Sequence, residues 1–234
     1  MRDALAMLQK ELREILGERQ SRRGGFVQAI ILTLVMGVVY PLSVVKFWLG
    51  AHPLAIVYFA FFPGMLAVTV AADAFAGERE RKTLETLLAA PLGEWAILAG
   101  KVGAAVVWSL SVTTVAFVCA VVTVNLATHG PGVFLPAPVL VAGAFSGALA
   151  SSSLLTAVAV IMSMRVAVAR SAQQMTALLS LVLFGGIATA WGALGVPLEW
   201  ANVFAAEALL AALAALALMA ARIAFRRDRF FDSR

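Results

Sequence analysis

The 234-residue sequence has little charge, one cysteine and two histidines. Charged residues make up 13% of the chain and hydrophobic residues 62%, whereas about a quarter of an ordinary soluble domain is charged. This composition excludes a conventional water-soluble globule. The single cysteine, Cys119, cannot form an intrachain disulfide or a thiol-based metal cluster. His52 and His129 are isolated in separate predicted loops, so we expect no metal site.

The sequence also lacks a phosphate-binding loop. In the nearest candidate, GEWAILAGKV, six residues separate Gly93 from Gly100 where the motif has four, and Val102 replaces its Ser or Thr. We instead expect Trp95 to lie at a membrane interface and Lys101 to extend toward lipid phosphates. No other catalytic set is apparent, so we expect a chain that is not an enzyme and binds no cofactor.

Long apolar runs are abundant. A hydrocarbon core about 30 Å thick needs about 20 apolar residues in a helix. Runs such as ALLAALAALALMAA are apolar on all sides, which argues against barrel strands. The sequence therefore predicts an all-α polytopic membrane protein with six transmembrane helices. The predicted spans are 26–47, 54–75, 102–126, 139–164, 176–194 and 202–221.

The basic residues fall almost entirely on one side of these spans. Of the 18 Lys and Arg residues, 17 precede the first span, follow an even-numbered one or close the chain, and Lys46 alone lies on the other side. The positive-inside rule then makes both termini cytoplasmic. We expect the chain to lie in the bacterial or archaeal inner membrane. The net charge of +5 is explained by topology, and we expect no nucleic-acid partner.

The first 24 residues predict an amphipathic helix and a linker. Leu5, Leu8, Leu12 and Leu16 recur at helical spacing, with most charged side chains elsewhere on the wheel. One interpretation places this helix in the headgroup plane with its leucines toward the acyl chains. The alternative is a soluble helix packed on a partner. At the other end, residues 226–234 form a basic tail.

The stretch GERERKTLETLLAAP lies between the second and third spans. Glu78 precedes Lys82 by four residues and Arg81 precedes Glu85 by four, which favours a helix over about 78–90 that ends near Pro91. It is interpreted either as a docking helix with a small leucine face or as a solvated loop whose charges hold the topology.

This stretch resembles the segment E-R-E-x-x-T-L-E-x-L-L-x-x-P of ABC-2 permeases, the membrane subunits of ABC exporters. The only notable difference is Lys82, where the family commonly has Gly, and we expect a surface helix to tolerate it. A weaker similarity lies in RVAVARSAQQM, residues 165–175. The layout of elbow helix, six spans and short outer loops covers almost the whole chain.

The resemblance implies a transport subunit that acts with a second permease copy, identical or related, and with two ABC ATPase subunits that bind ATP and Mg. The segment after span two would be a coupling helix, with leucines anchoring it to the elbow helix, the membrane or the ATPase. The residues implied in ATPase coupling are Glu78, Arg79, Glu80, Arg81, Lys82, Thr83, Leu84, Glu85, Leu87 and Leu88.

A few polar and small residues lie within the spans. Asp73 and Glu207 are candidates for a substrate path, and the alternative for each is a carboxylate at headgroup depth. Gly143, Gly147 and Ser151 repeat every four residues and predict close helix contact, within the subunit or at a dimer seam.

Two other functions stay open. One is an ATP-independent ion-coupled carrier or channel, and the other is a membrane-embedded lipid-modifying enzyme. The first would need charged groups at the bilayer midplane, and the second a cluster of His, Asp or Glu. The sequence leaves the identity of the cargo open.

Overall fold

The computed structural model describes residues 2–17, 22–80, 82–83, 93–128, 132–166 and 168–224. Within these ranges the chain forms helices and turns and contains no strand, which confirms the expected all-helical class. Two π turns, Val35–Val39 and Asp73–Gly77, and a 3-10 helix, Pro53–Ala55, interrupt the α-helices. The α-helices are α1 (Arg2–Gly17), α2 (Arg22–Leu34), α3 (Tyr40–Ser43), α4 (Val45–Leu49), α5 (Val57–Ala72), α6 (Glu78–Glu80), α7 (Glu94–Thr128), α8 (Pro138–Ser163), α9 (Ala169–Ala193) and α10 (Trp200–Ala224).

Four helical stretches are long and apolar enough to cross a membrane. They are Pro53–Glu80, Glu94–Thr128, Pro138–Ser163 and Trp200–Ala224, which correspond to predicted spans two, three, four and six. The fifth predicted span falls on α9, and the first falls on α2, the π turn, α3 and α4. The longest apolar helix in that first region, Val27–Ser43, is shorter than the other four. Six spans therefore stay a prediction, with four supported by length and composition.

The first predicted span is held against α7 at its π turn. The hydroxyl of Thr123 donates a hydrogen bond of 2.7 Å to the carbonyl of Gly37. A Cβ atom added at Gly37 would lie 2.6 Å from the Cβ of Cys119. Only glycine allows this approach, since real Cβ atoms do not come so close. The wide turn and the missing side chain together fix where the first predicted span crosses α7.

Helices α5 and α8 form the centre of the bundle. The small residues predicted for close contact lie on α8 where it crosses α5, and a glycine of α5 adds to the same contact. The close approaches are Gly143 to Ile56, Gly147 to Ala60, and the Ser151 carbonyl to Gly64. Small side chains let the two backbones approach and pack closely.

Each end of the bundle has its own apolar core. At one end the buried indole of Trp48 meets the rings of Phe59 and Phe117, with centroids 5.9 and 5.7 Å away. At the other end Met7 of α1 packs with Phe75 and with residues of α7, α8 and α10. The second core encloses the charged groups described next.

Candidate functional site: an ionic cluster at one end of the bundle

Lys101 lies at the centre of a buried ionic cluster. Its side chain is 0% exposed. The ammonium Nζ donates to Glu11 Oε1 at 2.8 Å, to Glu78 Oε1 at 2.9 Å and to the carbonyl of Ala74 at 2.9 Å. We call Glu11, Glu78 and Lys101 the ionic cluster. It joins α1, the helical stretch that follows α5, and α7.

The position of Lys101 corrects the sequence-based expectation. The side chain was expected to extend toward lipid phosphates, but two carboxylates and a carbonyl use all three of its N–H donors. The Phe75 ring centroid lies 5.6 Å from Nζ and closes the site further. A lysine buried this deeply is stable only with such partners, because its desolvation is costly.

The cluster holds two carboxyl groups and one ammonium group. Burial raises the pKa of Glu11 above its ordinary value of 4.5, while the charge and hydrogen bond of Lys101 oppose the shift. Glu78 Oε2 is buried and has no hydrogen-bond partner in the part of the chain that the structure describes. With both carboxyl groups ionised, the two negative charges would outnumber the single positive charge of Lys101. Lys101 is therefore the cation that compensates both buried carboxyl groups.

Helix α1 reaches the cluster because α7 has a glycine at the crossing point. A Cβ atom at Gly100 would lie 2.6 Å from the Cβ of Met7, and one at Gly103 would lie 3.0 Å from Leu8. Met7 and Glu11 are therefore buried on one face of α1, whereas Leu5 and Leu16 are each 56% exposed. The expectation that the leucines share one lipid face is wrong for Leu8, which packs on α7. The partner of this helix is the chain itself.

Arg79 and Glu80 contact the ends of two further helices. Arg79 Nη1 donates to the carbonyls of Ser163 at 3.4 Å and Met164 at 2.9 Å, where α8 ends. Glu80 Oε2 accepts from the backbone N–H of Ala169 at 3.4 Å, where α9 begins. Helix ends carry unpaired carbonyl and N–H groups, with partial negative and positive charge respectively. Each side chain has the sign that its helix end requires.

The helical turn Glu78–Glu80 ends in a Schellman motif. The N–H of Thr83 donates to the carbonyl of Glu78 at 2.9 Å, and the N–H of Lys82 donates to that of Arg79 at 3.1 Å. Lys82 has a φ of 58°, the left-handed conformation that favours glycine at this position of the motif. The left-handed backbone thus explains why glycine would be common at this position of the motif. The expectation that Lys82 is a harmless surface change is wrong, because a side chain here adds strain.

The prediction of one continuous helix that begins at Glu78 is also wrong for the described residues, since the helical turn ends at Glu80. Glu78 is paired with Lys101, and the expected pair with Lys82 along a helix face does not form. Arg79, Glu80, Lys82 and Thr83 are exposed at the surface. The remaining predicted coupling residues, Arg81, Leu84, Glu85, Leu87 and Leu88, lie outside the described residues.

The two carboxylates proposed for a substrate path lie apart from each other. Asp73, at the start of the π turn, accepts a hydrogen bond of 3.4 Å from Gln173 Nε2 of α9. Glu207 of α10 is 7% exposed, and its Oε2 accepts a 2.5 Å hydrogen bond from the hydroxyl of Ser146 on α8. Asp73 therefore belongs to the charged end of the bundle, and Glu207 to the seam between α8 and α10.

A model of the family described as "ABC-2 family transporter protein" matches residues 4–198, more than half of the chain. The chain belongs to the ABC-2 family of transporter proteins. No curated protein matches it. The match includes α1, the ionic cluster and the helix-end contacts, whereas Glu207 lies beyond it.

Membership in the ABC-2 family and the apolar helices together support three conclusions about the chain. It is a membrane transport subunit of the permease type, its family implies partnership with ABC ATPase subunits, and its apolar helices indicate a multi-pass membrane protein. In the described ranges no group of three or more His, Cys, Asp and Glu side chains is placed to hold a metal ion.

Sequence reasoning missed the role of Lys101 and Glu11 in this ABC-2 protein. The two residues are 90 positions apart, and no local pattern connects them. A usable signal was present in AGKVG, where a lysine lies among apolar residues and glycines on one helix. Glycines there indicate that another helix packs closely on this one. A helix that buries a lysine in this way is expected to provide a carboxylate that pairs with it.

Proposed function

We propose that this ABC-2 protein is the permease subunit of an ATP-driven exporter. It would cross the cytoplasmic membrane six times with both termini inside, and pair with a second permease copy. Two partner ATPase subunits would bind Mg-ATP and hydrolyse ATP. The family supports the permease role, and the distribution of 17 basic residues on one side of the predicted spans supports the orientation.

The observation that carries this proposal is the set of contacts made by Glu78, Arg79 and Glu80. Through Lys101, Glu78 is connected to α1 and α7; Arg79 holds the end of α8, and Glu80 the start of α9. A displacement of the segment after Glu80 would therefore act on four helices at once. A permease driven from outside the membrane needs such a connection between its docking segment and its spans.

The contacts also divide the predicted coupling residues into two groups. Glu78 is buried, so its role is internal to the subunit. Lys82 and Thr83 are exposed, and with the predicted leucines they would contact the ATPase. Ionic groups give such a docking surface its orientation, and apolar groups give it affinity.

Copurification with an ATPase tests the proposal. The tagged chain would be purified from its native membranes, its ATPase partner identified by mass spectrometry, and the complex reconstituted in liposomes. We expect Lys82→Glu to lower the ATPase activity of the complex several-fold, because it reverses a charge on the docking surface. Lys46→Glu is the matched control, since it makes the same charge change at an exposed site on the opposite side.

Two results would contradict the proposal. If no ABC ATPase copurifies with the wild-type chain, the permease role in an ATP-driven complex fails. If an ATPase binds but Lys82→Glu and Lys46→Glu behave alike, the segment after α6 is not the docking surface.

A further inference from the structure

The seam between α8 and α10 contains a buried carboxylate with one free oxygen. Glu207 Oε2 is bonded to Ser146, but Oε1 is buried without a hydrogen-bond partner among the described residues. This oxygen points at the small-residue strip of α8, and a Cβ atom at Gly147 would lie 2.9 Å from it. A carboxylate in an apolar seam costs free energy unless a donor or a cation compensates it.

The described residues supply no cation for Glu207. None of their Lys, Arg or His side chains forms an ion pair with it. Ionisable groups within membrane spans are costly, and those that occur commonly mark the path of a substrate or ion. A cationic ligand would supply the charge that these residues lack.

Two aromatic rings lie on the same face of α10 as Glu207. Trp200 and Phe204 precede it by seven and three residues, and their ring centroids are 5.9 Å apart. The Trp200 ring would lie 3.3 Å from a Cβ at Gly143, one turn of α8 away from the Glu207 contact at Gly147. Aromatic faces attract ammonium groups, and a nearby carboxylate gives them a counter-ion.

The seam can be approached from the outer face of the bundle. Ser146 is exposed, so Glu207 Oε2 lies one side chain from the surface, and Leu209 of the same helix is 59% exposed. Helix α10 packs mainly on α8. A ligand would therefore enter from the exposed side of this seam.

We propose that the α8–α10 seam binds the ammonium group of an amine-bearing, otherwise apolar cargo. Glu207 is the counter-ion, Ser146 holds its second oxygen in place, and the rings of Trp200 and Phe204 lie beside the amine. This inference rests on the proposed transport function for the term cargo, but the binding site itself does not depend on ATP.

Equilibrium binding of a matched pair of probes tests the site. The full chain would be reconstituted in phosphatidylcholine nanodiscs, whose lipids carry no net charge, and empty nanodiscs would give the background. The probes are radiolabelled decylamine and N-acetyldecylamine, which share an alkyl chain and differ in the cationic group. We expect the wild-type chain to bind the amine at least about tenfold more tightly than the amide.

Variants distinguish Glu207 from general attraction of cations. Glu207→Gln keeps the shape and the bond to Ser146, and it should reduce the preference for the amine to about one. Glu199→Gln removes an exposed carboxylate near the start of the same helix and should leave the preference unchanged. Phe204→Leu tests the site with Glu207 intact and should weaken amine binding several-fold, with little effect on the amide.

Equal binding of the two probes to the wild-type chain would overturn the proposal. A preference that persists in Glu207→Gln would overturn it as well. The binding experiment contains no ATPase, so its outcome does not depend on the proposed function. If no ABC ATPase copurifies with the chain but the amine preference is found, the proposed function is refuted and this site stands. Conversely, an active ATPase complex without amine preference would refute only the site.

Discussion

Replacing Lys101 with methionine should strongly destabilise the folded chain. Methionine keeps an unbranched side chain beside Phe75 but removes the three hydrogen bonds of Nζ, each 2.8–2.9 Å long. Glu78 would then remain buried without a cation, and Glu11 would keep only the half-exposed Lys10, whose Nζ lies 3.9 Å from its Oε1. Removing one partner of a buried ion pair costs about 3–5 kcal/mol, and we expect Lys101→Met to fall in this range.

The cost of Lys101→Met should be largely recovered when the carboxylates are neutralised. The triple variant Glu11→Gln, Glu78→Gln, Lys101→Met leaves no unpaired charge. Replacing a buried ionic group by well-packed apolar residues of similar volume is often close to neutral, and the two Gln side chains keep the volume of the carboxylates while removing their charge. We expect the triple variant to regain more than half of the stability that Lys101→Met loses. Lys46→Met is the control for loss of one exposed lysine.

The pH dependence gives an independent check on Lys101→Met. Because the folded-state pKa of Glu11 lies above its ordinary value of 4.5, protonation of Glu11 favours the folded state. This contribution is fully present below pH 4.5 and is lost as the pH rises through the folded-state pKa. Without Lys101 the opposing effect of its positive charge disappears, so Lys101→Met should lose stability over a pH range that extends higher than in the wild type.

Unfolding in mixed detergent micelles, followed by far-ultraviolet circular dichroism over a pH series, measures these quantities. Two results would refute the reasoning. One is a loss below about 1 kcal/mol for Lys101→Met, which would mean that the cluster is hydrated or unpaired. The other is a triple variant whose loss equals the sum of the three single losses, since independent sites add and a cluster does not.

Two further predictions concern the backbone around the cluster. Lys82→Gly should raise the free energy of unfolding by about 1 kcal/mol because it relieves the left-handed strain at φ 58°, and Lys82→Ala should not; detergent unfolding compares the two. Gly100→Ala should cost about 1–3 kcal/mol because its Cβ would lie 2.6 Å from Met7, and hydrogen exchange should show α1 losing protection; Gly185→Ala, whose Cβ meets open space on another helix, is the control and should cost nothing.

The sequence was sufficient for the class of the protein and for most of its long helices. Apolar runs identified four stretches that the structure also makes long enough to span a membrane, because lipid allows only internally bonded helices or closed barrels. The repeat of Gly143 and Gly147 likewise indicated a close helix contact, since only small residues permit it. Periodicity and length are properties that a single segment carries by itself.

The contacts of the charged stretch could not be derived in the same way. The four-residue spacing predicted an ion pair between Glu78 and Lys82, but Glu78 forms its ion pair with Lys101 of another helix. A surface pair is worth about 0.2–0.5 kcal/mol, which is far less than a buried carboxylate gains from an ammonium group. Tertiary contacts therefore overrode the local pattern. The second carboxylate bound to Lys101, that of Glu11, is 90 residues away in the sequence, so no local spacing rule predicts it.

The π turn Asp73–Gly77 sets which residue of the charged stretch faces which partner. Such a turn is equivalent to one residue inserted into an α-helix, and each residue turns the helix by about 100°. If the same residues formed a regular α-helix, the sequence would advance by one position. Gly77 would then lie opposite Lys101, Glu78 opposite the carbonyls of α8, and Arg79 opposite the N–H of Ala169. Because the signs of Glu78, Arg79 and Glu80 alternate, a shift by one residue turns both helix-end attractions into repulsions. The spacing of this segment is thus under as much constraint as its amino acids.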